Sequence, residues 1–427
     1  MTDGTPTLKA VQFGAGNIGR GFVGCFLKDN FQIVFADTYA PIVEQLNNQK
    51  SYNVIEFGTE KTEPQTIKNL VALHSVNEKD KLVDEISTAD LVTCAVGPGI
   101  LKYIAPTIAE GVLKRSADKA PVAIIACENI KGNTHMLHDE IKKHIPSESV
   151  DHAQKVAIYA NCAVDRIAPA QPSGISPDVQ VEKYAEWVID RTPFKDRAPF
   201  SQDPKKDAAD WAPLEIAGVK WVDDLEPYIE RKLFTVNTAH ATAAYFGYNR
   251  NKPNVHDAMA DPNIKAAVEA AVTETAAYIV KKYPSISEEE QRKYKAEIIK
   301  RISNPALNDS VLRVGRDPMR KLGLEERFIG PAAALAKEGM EIKSLLAAIE
   351  MAFRFQNVEG DEPSETLAKL MAEKNPDEVI QEVCIVKKRV DPNDSKSEVK
   401  LYKLEPDHPL YDKIKEVVQK VQADSRD

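Results

Sequence analysis

Apolar residues are bunched into short runs in the first half of the chain and spaced at helical intervals in the second. Lys9 to Phe13 is an apolar-rich run, and a glycine cluster follows at once: Gly14-Ala15-Gly16-Asn17-Ile18-Gly19-Arg20-Gly21. Phe22, Val23, Phe26 and Leu27 then recur on one helix face. A second short run, Gln32 to Ala36, ends at Asp37. Leu91 to Val96 and Val122 to Cys127 read as further buried strands, the first running into Gly97-Pro98-Gly99. Short apolar runs alternating with helical stretches predict a parallel, doubly wound sheet. Tyr52 to Phe57 and Leu70 to His74 alternate on either side of a polar turn containing glycine, which predicts a β excursion inserted into that sheet.

Arg191 to Trp211 is rich in Pro, Asp and Lys and reads as a linker or surface loop. Beyond Pro227, helical patterns dominate. They cover Ile264 to Lys282, Glu288 to Ile302 between the breakers Pro284 and Pro305, and Pro331 to Phe355. The last segment is highly charged and carries one helix, Leu410 to Val421. The expected organisation is an α/β domain over residues 1–195, a mainly α-helical domain over 196–390 and a charged extension over 391–427.

The chain has 427 residues, enough for two or three domains, with 43% hydrophobic and 28% charged residues. This composition excludes collagen, long disorder and a disulfide scaffold. A net charge of −9 argues against broad nucleic-acid binding, though it leaves room for a local basic pocket. The 5 cysteines, Cys25, Cys94, Cys127, Cys162 and Cys384, form no CxxC pair and are odd in number. They read as reduced, mostly buried residues in a reducing compartment. The N-terminus lacks the basic-then-apolar pattern of a signal peptide. No apolar run approaches the roughly 20 residues of a membrane helix. A cytoplasmic location without membrane association is therefore expected.

The glycine cluster carries the first chemistry. Bare GxGxxG is a weak signal, but here it follows a strand, opens a helix and is trailed by an acid near the expected offset of roughly 20 residues. Gly14, Gly16 and Gly19 allow a tight turn and close approach to a pyrophosphate, which Asn17 and Ile18 at the helix start also face. Asp37 is placed to accept hydrogen bonds from a ribose 2′-hydroxyl and to repel a 2′-phosphate, favouring NAD over NADP. On the motif alone, FAD competes, and a ligand-free turn is the structural alternative. Val96 and Gly97, and Glu128 and Asn129, follow later strands, where a doubly wound sheet places ligand contacts.

A second group lies in Glu230-Arg231-Lys232-Leu233-Phe234-Thr235-Val236-Asn237-Thr238-Ala239-His240. At about 100° per residue, Lys232, Asn237 and His240 share a helix face about 140° wide. A desolvated lysine there has a lowered pKa and serves as a base. A solvated lysine, a capping asparagine and a core histidine are the alternative. Asn161, just after a strand, is either a donor to developing oxyanion charge or a turn amide. Asp165 and Arg166 read as a structural ion pair or cap. The 8 histidines are scattered and no HExxH occurs, so no metal site is expected. Arg313, Arg316, Arg320 and Lys321 form a basic cluster suited to a phosphate, or a solvated helix face.

Together these residues resemble the polyol-specific long-chain dehydrogenases. The run Val11 to Phe22 is similar to the family's N-terminus. The run Tyr228 to His240 is similar to its Lys-x4-Asn-x2-His signature, and Asn161-Cys162-Ala163-Val164-Asp165-Arg166 to its Asn-x-x-Val-Asp-Arg element. Asn304-Pro305 and Arg313 to Lys321 resemble the branch acting on phosphorylated substrates. The likeness spans roughly residues 8 to 385, and the tail beyond Cys384 is unmatched. The resemblance implies a Rossmann-type domain plus a mainly α-helical substrate domain, commonly in a monomer. It also implies metal-independent hydride transfer between NAD and a sugar phosphate, interconverting D-mannitol 1-phosphate and D-fructose 6-phosphate. By motif, Lys232 is then the general base and acid, Asn161 and Asn237 hold the reacting oxygen, and His240 orients substrate hydroxyls.

Overall fold

In the computed structural model, which describes residues 8–57, 63–169, 171, 176–200, 211–390 and 398–424, the apolar runs of the first half become strands. The chain divides into two units, Met1–Tyr228 and Ile229–Asp427. The strands of the first unit are β1 (Leu8–Phe13), β2 (Phe31–Asp37), β3 (Tyr52–Phe57), β4 (Gln65–Ile67), β5 (Leu70–His74) and β6 (Leu91–Cys94). They continue with β7 (Val122–Ala126), β8 (Ala157–Tyr159), β9 (Cys162–Asp165), β10 (Val179–Glu182), β11 (Glu186–Asp190) and β12 (Val219–Val222).

Six of them form one parallel sheet in the order β5-β2-β1-β6-β7-β8. The order reverses between β1 and β6, the switch point at which doubly wound sheets bind ligands. Both faces of the sheet are covered. Ala10, Ile33, Phe35 and Ile125 feed one apolar layer, and Val11, Phe13, Val34 and Ile124 feed the other. Two-sided burial explains why these strands read as continuous apolar runs rather than as alternations.

Leu70–His74 does not belong to the β excursion expected from its alternation. It is the parallel edge strand β5 beside β2. The excursion consists instead of β3 and β4 joined by the distant β10, in the order β10-β3-β4. The intermediate burial of Val71, Leu73 and His74 at a sheet edge gives β5 the alternating look of a half-exposed strand.

A third sheet, β12-β11-β9, pairs β11 with Val219–Val222 and ties this segment to the first unit. The Arg191–Trp211 stretch is likewise more than a linker, although 201–210 lie outside the described residues. Trp211 is buried in the same core, and Arg191 Nη1 donates to its carbonyl at 2.9 Å. The unit boundary therefore falls after Tyr228, not after residue 195.

The second unit is mainly helical. Pro262–Lys282 and Glu288–Ile302 form where the pattern placed them, the second behind a Ser287/Glu290 capping box. Ile329–Lys337 and Lys343–Phe353 pack Leu335, Leu345 and Phe353 against Tyr245 and Phe328. The charged tail is no appendage. It contributes the hairpin β13 (Ile385–Arg389) and β14 (Val399–Lys403) and the helix Tyr411–Asp424. That helix buries Ile414, Val418 and Val421 in the same core, each worth ~1.5–3 kcal/mol. Residues 391–397 and 425–427 are outside the described set. No helix among the described residues is long and apolar enough to cross a membrane.

Candidate active site

Strand β1 delivers the chain to Gly14, which is buried and holds φ +89, a conformation only glycine adopts without strain. The turn is locked from beneath by a residue that no motif singles out. Gln12 is fully buried, and its Nε2 donates to the carbonyls of Phe13 (2.6 Å) and Gly14 (3.0 Å). Its Oε1 accepts from Thr93 on the neighbouring strand β6 at 2.5 Å. Arg20 is also buried. Its Nε donates to the Ala15 carbonyl at 2.7 Å, its Nη1 to the Ser176 and Pro177 carbonyls, and burial lowers its pKa. Asn17 donates to the Pro169 carbonyl at 3.1 Å, and Ile18 stands half-buried at the helix start.

Asp37, at the end of β2, reaches back over this turn. Its Oδ2 accepts from Ala15 N at 2.7 Å, and its Oδ1 accepts from Tyr39 N at 2.9 Å. Each oxygen keeps a lone pair for a further donor. Gly16 is exposed, with no atom within 4 Å of where a Cβ would stand. An open glycine backbone beside an acid at the sheet's switch point fits a dinucleotide site. Across the switch point, the buried Glu128 accepts from Val96 N (2.8 Å) and Gly97 N (2.9 Å) and fixes the turn after β6. Asn129 beside it is exposed.

Asn161 follows β8, and its Oδ1 accepts from Thr134 N (3.0 Å) and His135 N (3.2 Å) at the start of the helix Asn133–Lys142. With its carbonyl oxygen committed to the helix, the Asn161 amide presents its NH2 as a donor. Arg166 is structural and pairs with Glu56 at 2.5 Å.

In the second unit, Lys232–Asn237 is a π-helical segment running into the α-helix Thr238–Tyr248. A uniform α-helical step misses this feature. Hydrogen bonding from i to i+5 widens the turn and brings Lys232 and Asn237 closer to one line than the α-helical angle allows. Buried threonines accompany it. Thr238 Oγ1 donates to Leu233 O (3.2 Å) and Arg327 O (2.8 Å), and Thr235 Oγ1 accepts from Gln291 at 2.9 Å. Lys232, Asn237 and His240 are all half-buried.

His240 Nε2 lies 3.2 Å from Oδ2 of Asp309, whose side chain is 1% exposed. Arg313 takes the other oxygen of Asp309, with Nε at 2.6 Å and Nη2 at 2.5 Å. Burial opposes ionisation of Asp309, but His240 and the Arg313 guanidinium outweigh it and hold the carboxyl below its ordinary range. Nothing in the sequence pattern pointed to Asp309.

The basic cluster is not uniform. Arg313 is engaged by Asp309, and Arg320 by Asp317 (2.9 Å) and Glu326 (3.3 Å). Lys321 is buried and donates to the Arg316 carbonyl. Burial, then the charges of Arg327 and Arg320, push its pKa down to about 7. Arg313, Arg316 and Arg320 are exposed, and of these three Arg316 makes no ion pair among the described residues. No group of three or more His, Cys, Asp or Glu side chains among the described residues is arranged to hold a metal.

Two family models fit successive parts of the chain: the mannitol dehydrogenase Rossmann domain over residues 8–202 and the mannitol dehydrogenase C-terminal domain over residues 224–421. The chain belongs to the mannitol dehydrogenase family. It is 49% identical over 430 residues to the mannitol-1-phosphate 5-dehydrogenase of Podospora anserina, covering 100% of both chains. It is 50% identical over 424 residues to the protein of that name from Neurospora crassa, covering 99% of this chain and 98% of the other.

Among solved structures, it resembles the ternary complex of Pseudomonas fluorescens mannitol 2-dehydrogenase with NAD and D-mannitol. The TM-score is 0.70 and the identity 17%, over 99% of this chain and 92% of that one. A D-sorbitol dehydrogenase in substrate-free form gives a TM-score of 0.71 and 16% identity, over 99% and 93% of the two chains. At these identities the likeness establishes the mannitol dehydrogenase fold. The family's C-terminal domain extends to residue 421, so it takes in the tail that the motifs left unmatched.

Proposed function

We propose that this chain catalyses the NAD-dependent, metal-independent interconversion of D-mannitol 1-phosphate and D-fructose 6-phosphate. The observation that carries this reading is identity of about half, over the whole length, to relatives named mannitol-1-phosphate 5-dehydrogenase. The intact Lys232, Asn237 and His240 on one helical segment support it.

The nicotinamide, when bound, supplies the hydride acceptor or donor. Gly16 and Asp37 hold the dinucleotide at the pyrophosphate and the ribose. Lys232, as the neutral amine, takes the proton from the substrate's C5 hydroxyl as that carbon loses hydride. In the reverse direction the ammonium returns the proton to the alkoxide oxygen. Asn161 and Asn237 donate to the reacting oxygen and stabilise its negative charge where it develops. The committed carbonyl of Asn161 supports this role, because it fixes which end of the amide faces outward. His240 orients substrate hydroxyls. Arg316 is the foremost candidate for the phosphate, since it is the exposed member of the basic cluster without an ion-pair partner, whereas Lys321 is buried against a backbone carbonyl.

The test is NADH oxidation by the EDTA-treated protein, with fructose 6-phosphate and fructose compared directly. Turnover of the phosphate ester alone is expected, with Arg316→Ala raising its KM. Turnover of free fructose would place the chain among dehydrogenases of unphosphorylated polyols, and silence with both would refute the proposal.

A further inference from the structure

We infer that Asp309 is the positioning residue of His240, selecting the tautomer in which the imidazole meets substrate. The inference rests on the dehydrogenase reading above and adds to it a side chain that neither motif nor spacing singles out.

A carboxylate 1% exposed must be paired, and Asp309 divides its two oxygens between two partners. Oδ1 is taken by Arg313 Nε and Nη2. Oδ2 faces His240 Nε2 at ion-pair distance, 3.2 Å, and neither of these two buried atoms makes a hydrogen bond among the described residues, so each is the nearest available partner of the other. The backbone is anchored separately, because the Asp309 carbonyl accepts from Val255 N at 2.8 Å. The carboxylate is thus held in place by groups other than the histidine it faces.

A lone pair on Nε2 would point at an anion, so the proton of the neutral ring resides on Nε2. Nδ1 then keeps its lone pair and accepts from a substrate hydroxyl. The Nε2–Oδ2 pair is within reach but falls short of hydrogen-bond alignment, and a small rotation of the imidazole would complete the bond. Arg313 acts in the same unit. By saturating Oδ1 it leaves Oδ2 directed at the imidazole, so a residue grouped with the phosphate candidates serves the histidine instead.

Two measurements test this. The first requires no variant: the 15N shifts of the His240 ring in the full-length chain at neutral pH. The Nε2–H tautomer is expected, and a lone pair on Nε2 would overturn the inference whether or not the chain is active. The second is a double-mutant cycle in the presence of NAD and mannitol 1-phosphate. Asp309→Asn should lower kcat/KM by roughly 10–100-fold, the effect of losing one charge-assisted contact, and leave NADH binding unchanged. In a His240→Ala background the same substitution should be nearly silent. A loss that persists undiminished in that background would show that Asp309 acts only through the fold. Absence of turnover in the unmutated chain would refute the dehydrogenase reading alone, and the tautomer would still decide the role of Asp309.

Discussion

Substituting alanine at Gly16 and at Gly19 separates binding of the dinucleotide from packing of the turn that holds it. A Cβ on Gly19 would stand 1.9 Å from the Gly14 carbonyl oxygen, whereas Cβ contacts below 3.0 Å are essentially never seen. The helix start must therefore retreat by about 1.1 Å from backbone that cannot yield cheaply. Overpacking of this kind costs ~1–3 kcal/mol. For a unit of this size it lowers the thermal midpoint by about 2–12 °C.

A Cβ on Gly16 meets no atom within 4 Å, so Gly16→Ala should leave that midpoint unchanged or slightly raised. Its methyl group would instead occupy the space through which a pyrophosphate approaches the backbone. Losing one charge-assisted backbone hydrogen bond costs ~1.5–3 kcal/mol, or roughly 10–100-fold in NADH affinity. Thermal melts and NADH fluorescence titrations of the two variants provide the readouts. If Gly16→Ala bound NADH like the unsubstituted chain, the pyrophosphate would not lie over this turn. If Gly16→Ala melted as low as Gly19→Ala, Gly16 would not stand in open space.

Asp37→Ala should relax the preference for NADH over NADPH, and an unchanged ratio of kcat/KM for the two would move discrimination elsewhere. Lys232→Ala should lower kcat by ~10²–10⁴ with NADH binding near normal, and substantial residual turnover with an unaltered pH profile would remove Lys232 from its role. Removing the Glu128 carboxylate by Glu128→Ala strands the Val96 and Gly97 amides, which costs ~1–3 kcal/mol for each and should show as a shifted urea midpoint.

Lys321 has a pKa of about 7 in the fold against 10.5 in the unfolded chain, so between these values the unfolded state binds more protons and stability rises with pH. Lys321→Met should be the more stable protein at pH 7, by on the order of a few kcal/mol, and should lose that rise. Parallel pH dependences in the two proteins would show that Lys321 is not desolvated.

The glycine turn, Asp37 and the Lys-Asn-His segment were legible because each depends on short-range geometry: the freedom of φ at glycine, and the period of one strand or one helix. The same locality explains the misreadings. The half-exposed edge strand Leu70–His74 alternates like a hairpin strand, and only its pairing with β2 assigns it to the main sheet. Val219–Val222 and the helix Tyr411–Asp424 lie in charged surroundings, and their attachment depends on β11 and on a core assembled from distant helices.

The site divides in the same way. Spacing placed Lys232, Asn237 and His240 on one helix, but the π-helical turn that draws Lys232 toward Asn237 belongs to the folded structure, where Thr238 bonds back to Leu233. Gln12 under the glycine turn and Asp309 behind His240 read as an unremarkable strand residue and loop residue in sequence. Each became visible only as a buried polar group whose partners come from elsewhere in the chain. Local pattern determined which elements form and which side chains are candidates for the chemistry. Tertiary structure decided which buried charges and amides hold them in place, because burial makes pairing obligatory and the partners are set by packing, not by spacing along the chain.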